Sequence, residues 1–228
     1  MIEMKDVSKT YSNGVSALNG VNLSIEQGEF VYVVGPSGAG KSTLVGMMYR
    51  EEKATNGSIS INGVYLNKLK ERKIPYLRRE IGVVYQDFKL LPRLTVYENI
   101  AFALEVIEES PKNIRRRVME VLDLVNLKHK ARHIPDELSG GEQQRVSIAR
   151  AIVNHPKTVI ADEPTGNLDP ETSWDIMRIF EEINAKGTTV IMATHSKDIV
   201  NTIKKRVIAV ENGRIVRDEH RGDYGYEA

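Results

Sequence analysis

The stretch Gly35-Pro36-Ser37-Gly38-Ala39-Gly40-Lys41-Ser42-Thr43 matches the pattern G-x-x-x-x-G-K-[ST]. Phosphate binding needs this spacing. The glycines let the loop fold so that successive N–H groups face an anionic chain, and the Lys41 ammonium reaches the outer phosphates. The Ser42 hydroxyl is then placed to ligate Mg²⁺. Such a loop indicates a nucleotide but no reaction. Asp162 and Glu163 add one, because they close the apolar run TVIA (158–161). In open parallel α/β sheets, ligands bind at the carboxyl ends of strands. Asp162 suits the Mg²⁺ shell, and Glu163 suits orienting or deprotonating an attacking water. Without the phosphate loop, the same pair would read as a helix-entry cap before Pro164.

Two further polar residues follow strand-like runs. Gln86 comes directly after IGVVY (81–85), and His195 follows TTVIMA (188–193) and Thr194. A single glutamine or histidine is more often structural than functional. Four strand ends carrying polar groups to one sheet edge favour a site. Gln86 is then a candidate sensor of Mg²⁺ or the γ-phosphate, and a candidate metal ligand with Ser42 and Asp162. His195 is a candidate donor to the γ-phosphate as charge builds there.

A second phosphate-type feature is LSGGEQQR (138–145). Ser139 and Glu142, three residues apart, form a capping-box pattern. Capping does not need Gly140 and Gly141, which weaken a helix. They make sense where a helix start approaches a phosphate closely. One chain cannot easily bring this helix onto its own phosphate loop and leave room for catalysis. A second copy, turned head to tail, can.

The positioning elements follow from pattern. VNLSI (21–25), FVYVV (30–34), SISI (58–61) and IGVVY read as strands punctuated by Gly28, Asn56-Gly57 and Asn62-Gly63. From Asp87 to Pro156 the texture is helical. One helix is predicted over 96–109. Another follows Pro111, with Ile114, Val118, Val121, Leu122 and Val125 at spacings of three and four. Arg115-Arg116-Arg117 reads as its solvated face. Strand and helix alternate again after Pro156, with a helix over about 171–185. RVIAVE and RIVRDE, joined by Asn212-Gly213, read as a hairpin with a type I′ turn. The tail HRGDYGYEA is polar and expected to be loosely held.

Composition narrows the classes. Lys plus Arg number 32 against 31 Asp plus Glu, a net charge of +1, so no nucleic-acid partner is expected. The absence of cysteine excludes thiol catalysis, disulfides and Cys-based metal sites. No apolar run approaches the roughly 20 residues that span a bilayer, and the start, MIEMKDVSK, lacks an apolar signal core. The chain is expected to be soluble by itself.

Residues 35–43, Gln86, LSGGEQQR, TVIADE (158–163), the Asn167-Leu168-Asp169 turn and His195 resemble, in order and spacing, the motif set of ABC-type ATPase domains. The likeness covers essentially the whole chain. It implies an α/β fold in one domain, 1–228: a P-loop core with a mainly parallel sheet, an N-terminal antiparallel β-subdomain, an inserted helical subdomain at about 87–156 and a tail from about 219. It also implies a homodimer in which the P-loop of one subunit and Ser139-Gly140-Gly141 of the other enclose each ATP. Tyr11 matches the family's adenine-stacking aromatic. Asp169 would sit at the dimer seam.

Within that family, 86–106, 161–177 and 211–228 resemble the cell-division branch, particularly its Gram-positive form. That resemblance implies a peripheral protein on the cytoplasmic face of the membrane, at the division site. Its partner there is an integral-membrane protein of the FtsX type with four transmembrane helices. ATP-driven closure would pass through this partner to cell-wall hydrolases. Leu90, Leu91 and Leu94 are the candidate contacts. The alternative is the ATPase subunit of a lipoprotein-release or macrolide/peptide efflux system, which shares LSGGEQQRVSIARA and NLDP. Soluble ABC proteins acting on DNA or ribosomes carry two ATPase modules or a long coiled-coil insertion, and this chain has neither. A pure nucleotide-binding scaffold would show no ATPase activity for Glu163→Gln to abolish.

Overall fold

A computed structural model describes residues 1–225. Its strands are β1 (Ile2–Thr10), β2 (Ser16–Ile25), β3 (Phe30–Val34), β4 (Asn56–Ile61), β5 (Val64–Tyr65), β6 (Ile81–Val84), β7 (Thr158–Asp162), β8 (Thr189–Ala193), β9 (Arg206–Glu211) and β10 (Arg214–Glu219). Its α-helices are α1 (Lys41–Met48), α2 (Ile74–Arg78), α3 (Val96–Glu105), α4 (Pro111–Leu124), α5 (Gly140–Ile152), α6 (Pro170–Ala185) and α7 (Lys197–Thr202).

The main sheet has the order β10-β9-β3-β8-β7-β6. Its five strands β9, β3, β8, β7 and β6 run parallel, and β10 closes the edge antiparallel to β9. A second, antiparallel sheet has the order β2-β1-β4-β5. The central strands β3 and β8 are buried at every residue, which is why they read as continuous apolar runs rather than alternating ones. The pleat nevertheless sorts them. Phe30, Tyr32 and Val34 pack with the helices on one face, while Val31 and Val33 pack with α1 and the antiparallel sheet on the other.

Register decides where the site lies. Val33 pairs with Ala193, Ala193 with Asp162, and Val84 with Ala161. The carboxyl ends of β3, β8, β7 and β6 therefore finish nearly level, and the residues following each emerge at one edge.

Several expectations meet the structure directly. Asn212 and Gly213 have φ of 47° and 75°, the two left-handed residues of a type I′ turn. Arg115 and Arg116 are exposed on α4, Arg116 pairing with Glu120, as the solvated-face reading expects, whereas Arg117 turns partly inward to pair with Glu109. The helix expected over 96–109 ends at Glu105. Ser110 starts the next helix, accepting from the Asn113 N–H at 3.4 Å. The residue before Pro111 is barred from helical backbone, so one helix cannot run through. Strand β1 went unread. Its buried Ile2, Met4 and Val7 alternate only until a bulge between Met4 and Val7 breaks the period.

The tail is the clearest correction. It is held, not loose, as far as it is described. The Gly222 N–H donates to the Lys205 carbonyl at 3.1 Å and the Tyr224 N–H to Asn201 Oδ1 at 2.7 Å. Residues 226–228 lie outside the described residues.

Candidate active site

The phosphate loop joins β3, the middle of the main sheet, to α1. A side chain on Gly35 would overlap the Val210 carbonyl oxygen, and one on Gly40 would come within 2.5 Å of the Ala17 carbonyl oxygen. Gly40, at φ 107°, also caps α1 without any side-chain bond, so the first N–H groups of α1 keep their donors for a ligand. Lys41 is only 9% exposed. Its ammonium donates to the Gly35 carbonyl at 2.9 Å and the Pro36 carbonyl at 3.1 Å, using two of its three protons within the loop.

Tyr11 stands beside this loop, with its hydroxyl 3.1 Å from Thr43 Oγ1. Lys9 Nζ lies 4.7 Å from the centroid of its ring, a cation–π contact that covers one face. A stacked base therefore has the other face.

Ser42 Oγ donates to Asp162 Oδ1 at 3.3 Å, so these two Mg²⁺ candidates are neighbours. Burial, first, and the adjacent Glu163 charge push the Asp162 carboxyl above its ordinary value, while Ser42 and Lys41 pull the other way. A divalent cation would relieve that cost. Among the described residues no three His, Asp or Glu side chains gather into a cage. That is consistent with Mg²⁺, which takes one or two protein oxygens and fills its shell with phosphate and water.

Glu163 sits at φ 49°, a left-handed conformation that costs a non-glycine residue energy and is common at functional sites. Its Oε2 accepts from the His195 backbone N–H at 3.2 Å and lies 2.8 Å from His195 Nδ1. The two catalytic candidates are thus in direct contact.

Gln86 behaves differently. Its side-chain amide donates to Asn167 Oδ1 at 3.2 Å, and Asn167 returns a bond to the Gln86 carbonyl at 3.4 Å. The structure gives it no bond to Ser42 or Asp162 among the described residues. Asp169 caps α6, accepting from the Thr172 N–H at 2.9 Å, and the Thr172 hydroxyl, first, and this N–H hold its carboxyl below the ordinary range.

The capping box at Ser139 is present: Ser139 N–H donates to Glu142 Oε2 at 2.9 Å, and Glu142 N–H to Ser139 Oγ at 3.3 Å. The glycine pair divides. Gly141 is buried, and a side chain there would overlap Thr172 on α6. Packing inside the chain accounts for it. Gly140 is exposed, and a side chain there would make only ordinary contacts, 3.6 Å from Leu168 and 3.9 Å from Phe88. The phosphate argument therefore rests on Gly140 alone. No hydrogen bond among the described residues joins Ser139, Gly140 or Gly141 to 35–43.

Two residues of α5 were assigned no role from sequence. Arg150 donates to the Lys89 carbonyl at 2.7 Å and the Phe88 carbonyl at 2.9 Å, gripping two consecutive left-handed residues just after Gln86. Gln144, fully buried, donates to the Pro164 carbonyl at 2.7 Å. Neither contact has a sequence signature, because the partners lie 61, 62 and 20 residues away.

The chain is similar to well-characterised proteins over its full length. The model of the ABC transporter family matches residues 18–166. The cell division ATP-binding protein FtsE of Bacillus subtilis (strain 168) is 71% identical over 225 residues, 99% of each chain. The protein of that name in Escherichia coli (strain K12) is 45% identical over 227 residues, all of each chain. Among solved structures, the dimeric post-hydrolysis state of the ATP-binding cassette MJ0796 bound to ADP and Pi matches with a TM-score of 0.88 and 38% identity, covering 97% of this chain and 99% of that one. With a phosphate loop, paired carboxylates and a histidine on one sheet edge, the chain belongs to the ABC transporter family, among its ATP-binding, ATP-hydrolysing cassettes.

Proposed function

We propose that this chain acts as one ATPase domain, 1–228, that works as a head-to-tail homodimer on the cytoplasmic face of the cell membrane. The observation that carries the dimer is the exposure of the second helix start. Ser139 and Gly140 are exposed and, among the described residues, make no hydrogen bond to residues 35–43. They serve the nucleotide of a second copy. A solved neighbour that is itself dimeric supports a dimer.

In this reading Lys41 and the first N–H groups of α1 hold the β- and γ-phosphates, and Tyr11 stacks on adenine. Ser42 and Asp162 would hold Mg²⁺, which would supply charge neutralisation for the bound phosphates. Gln86 would join that shell through Oε1, which its bond to Asn167, made by Nε2, does not use. Glu163 orients the attacking water and accepts its proton. His195 has two ring nitrogens to divide. While Nδ1–H is given to Glu163, Nε2 donates to the γ-phosphate only in the imidazolium form. His195 therefore either takes a proton or turns from Glu163 to the phosphate. Asp169 lies at the dimer seam. ATP favours closure because only its γ-phosphate reaches the partner's Ser139 and Gly140, and ADP lacks it.

The biological setting is the cell-division system of the FtsE relatives. The membrane partner is of the FtsX type, with closure passed across the membrane to cell-wall hydrolases. Its contact runs along Leu90, Leu91 and Leu94, all half-buried, and takes in a groove of about 500 Å³ lined in part by Arg150, which binds the Lys89 carbonyl beside Leu90. Tyr85, Arg150 and the exposed Phe102 and Val106 line that groove. Arg150, which holds the backbone beside Gln86, joins the groove to the nucleotide. The runner-up setting, a lipoprotein-release or macrolide/peptide efflux complex, uses the same catalytic residues.

Glu163→Gln tests both levels. It should lower ATP turnover about 10²–10⁴-fold while ATP binding persists. Captured from membranes with ATP, it should carry a four-helix FtsX-like protein. An export permease in its place would reject the division role, and undiminished phosphate release would reject Glu163 as the base.

A further inference from the structure

Helix α5 reaches the catalytic turn soon after its exposed start. Gln144, on the turn of helix that follows Gly140, is fully buried. Its Nε2 donates to the Pro164 carbonyl at 2.7 Å. Pro164, itself buried, directly follows Glu163. Proline has no N–H, so the carbonyl is its one main-chain polar group. No other hydrogen bond among the described residues ends on that carbonyl. A buried carbonyl without a donor is costly, so this turn depends on a side chain from another element.

The turn holds Glu163 in a demanding conformation, left-handed at φ 49°. The Glu163 N–H donates to the Ala193 carbonyl at 2.9 Å, which ties it to β8. Its carbonyl accepts from the Gly166 N–H at 3.1 Å, which closes the turn over 163–166. Gln144 grips that turn from α5. Packing does not account for the amide, because methionine or leucine would fill such a site. Its other end, Oε1, is buried and has no hydrogen-bond partner among the described residues. That orphaned acceptor is a cost a purely structural side chain would avoid. The N–H facing Pro164 is the part in use.

We propose that Gln144 is a positioning residue for the catalytic carboxylate, its bond to the Pro164 carbonyl holding the turn that sets Glu163 beside His195. The helix that presents Ser139 and Gly140 at its start thus also secures this chain's own Glu163. Without the bond the turn samples other placements of the carboxylate, and fewer of them are aligned with the water. The inference rests on Glu163 being the base of the proposed ATPase reaction.

The test uses the full chain with Gln144→Met, Gln144→Asn, Glu163→Gln and the double variant of Gln144→Met with Glu163→Gln. Each is read by a fluorescent ATP analogue, thermal melting and single-turnover phosphate release. Gln144→Met keeps an unbranched side chain and removes the donor. Its rate of phosphate release should fall about 10- to 100-fold. Its Kd for the analogue should stay within about twofold, and its melting temperature within about 4 °C. Gln144→Asn, one methylene shorter, should give the same pattern, and it serves if Gln144→Met melts below the assay temperature. On the Glu163→Gln background, Gln144→Met should lower the residual rate by less than about twofold, because a residue acting through Glu163 then has nothing left to place. Wild-type turnover in both Gln144 variants overturns the proposal. So does an undiminished effect on the Glu163→Gln background, or a loss of turnover matched by a loss of affinity, since either marks a role apart from Glu163. Glu163→Gln alone separates the two levels. If it releases phosphate at the wild-type rate, the base assignment itself fails. If it loses turnover while the Gln144 variants do not, only the role of Gln144 fails.

Discussion

Helix α1 starts without a side-chain cap, and α5 starts with two reciprocal ones. Around α1 the sheet supplies everything a phosphate needs: a loop pressed against two carbonyls, a buried lysine and an adjacent carboxylate. Around α5 the chain supplies only a helix end. Glu142 satisfies the Ser139 backbone, and Ser139 Oγ, by accepting from Glu142, keeps its own proton to donate. The first is a built cradle. The second is a finished surface, stable in water and ready for an acceptor brought by another molecule. The contrast also shows how one dipeptide can serve two purposes. Gly141 answers to Thr172 within the chain, and Gly140 answers to nothing within it.

The strongest test of this contrast mixes two defects. Lys41→Ala damages only the cradle, and Ser139→Arg only the surface. Each alone should lower ATP turnover at least about a hundredfold. If the two starts belong to different subunits, mixing the variants forms one intact site, and phosphate release should return. If mixing restores nothing, the head-to-tail arrangement is wrong.

A smaller effect separates the glycines. Gly141→Ala should destabilise the chain by about 1–3 kcal/mol through overpacking against Thr172. Thr172→Ser, which deletes the obstructing methyl, should recover most of that loss in a double-mutant cycle of denaturant melts. Gly140→Ala should leave stability within about 0.5 kcal/mol yet weaken ATP-dependent dimerisation, read by light scattering. Equal destabilisation by both would erase the distinction.

The smallest effect concerns the cradle's carboxylate. Asp162 has its pKa raised by folding, so the folded chain binds its proton more tightly than the unfolded chain does. Its contribution to stability therefore falls as pH rises from the ordinary aspartate value, about 3.9, through the raised one. Asp162→Asn should flatten that part of the melting profile of the nucleotide-free chain and raise its melting temperature above it. It should also weaken the Mg²⁺ dependence of turnover. An unchanged pH profile would show that the burial of Asp162 carries no such cost.

Much of the site was legible because its signals are local. The fully buried strands read as apolar runs, and the hairpin turn needed only Asn212-Gly213. The phosphate loop, Glu163 and His195 each sit one or two residues past a strand end and Asp162 is the last residue of its strand, so reading the strands located them. What escaped notice depended on distant partners. Strand β1 hides behind a bulge. The Gln86–Asn167 pair spans 81 residues, and the Arg150 grip spans 61 and 62. The tail looked loose because its anchors are main-chain bonds, which residue type does not announce.

The sequence by itself determined the candidate chemistry: a phosphate-loop pattern, two adjacent carboxylates at a strand end, and a helix start carrying a serine and two glycines. These follow from residue type and short spacing, because strand and helix periods are properties of the local chain. Only the tertiary structure decided how those groups are held. Parallel register sets the strand ends level, Thr172 claims Gly141, Asn167 pairs with Gln86, and Asn201 and Arg217 hold the tail against the body of the chain. Each of these is a contact between segments far apart along the chain, and only the packing of the whole core brings them together.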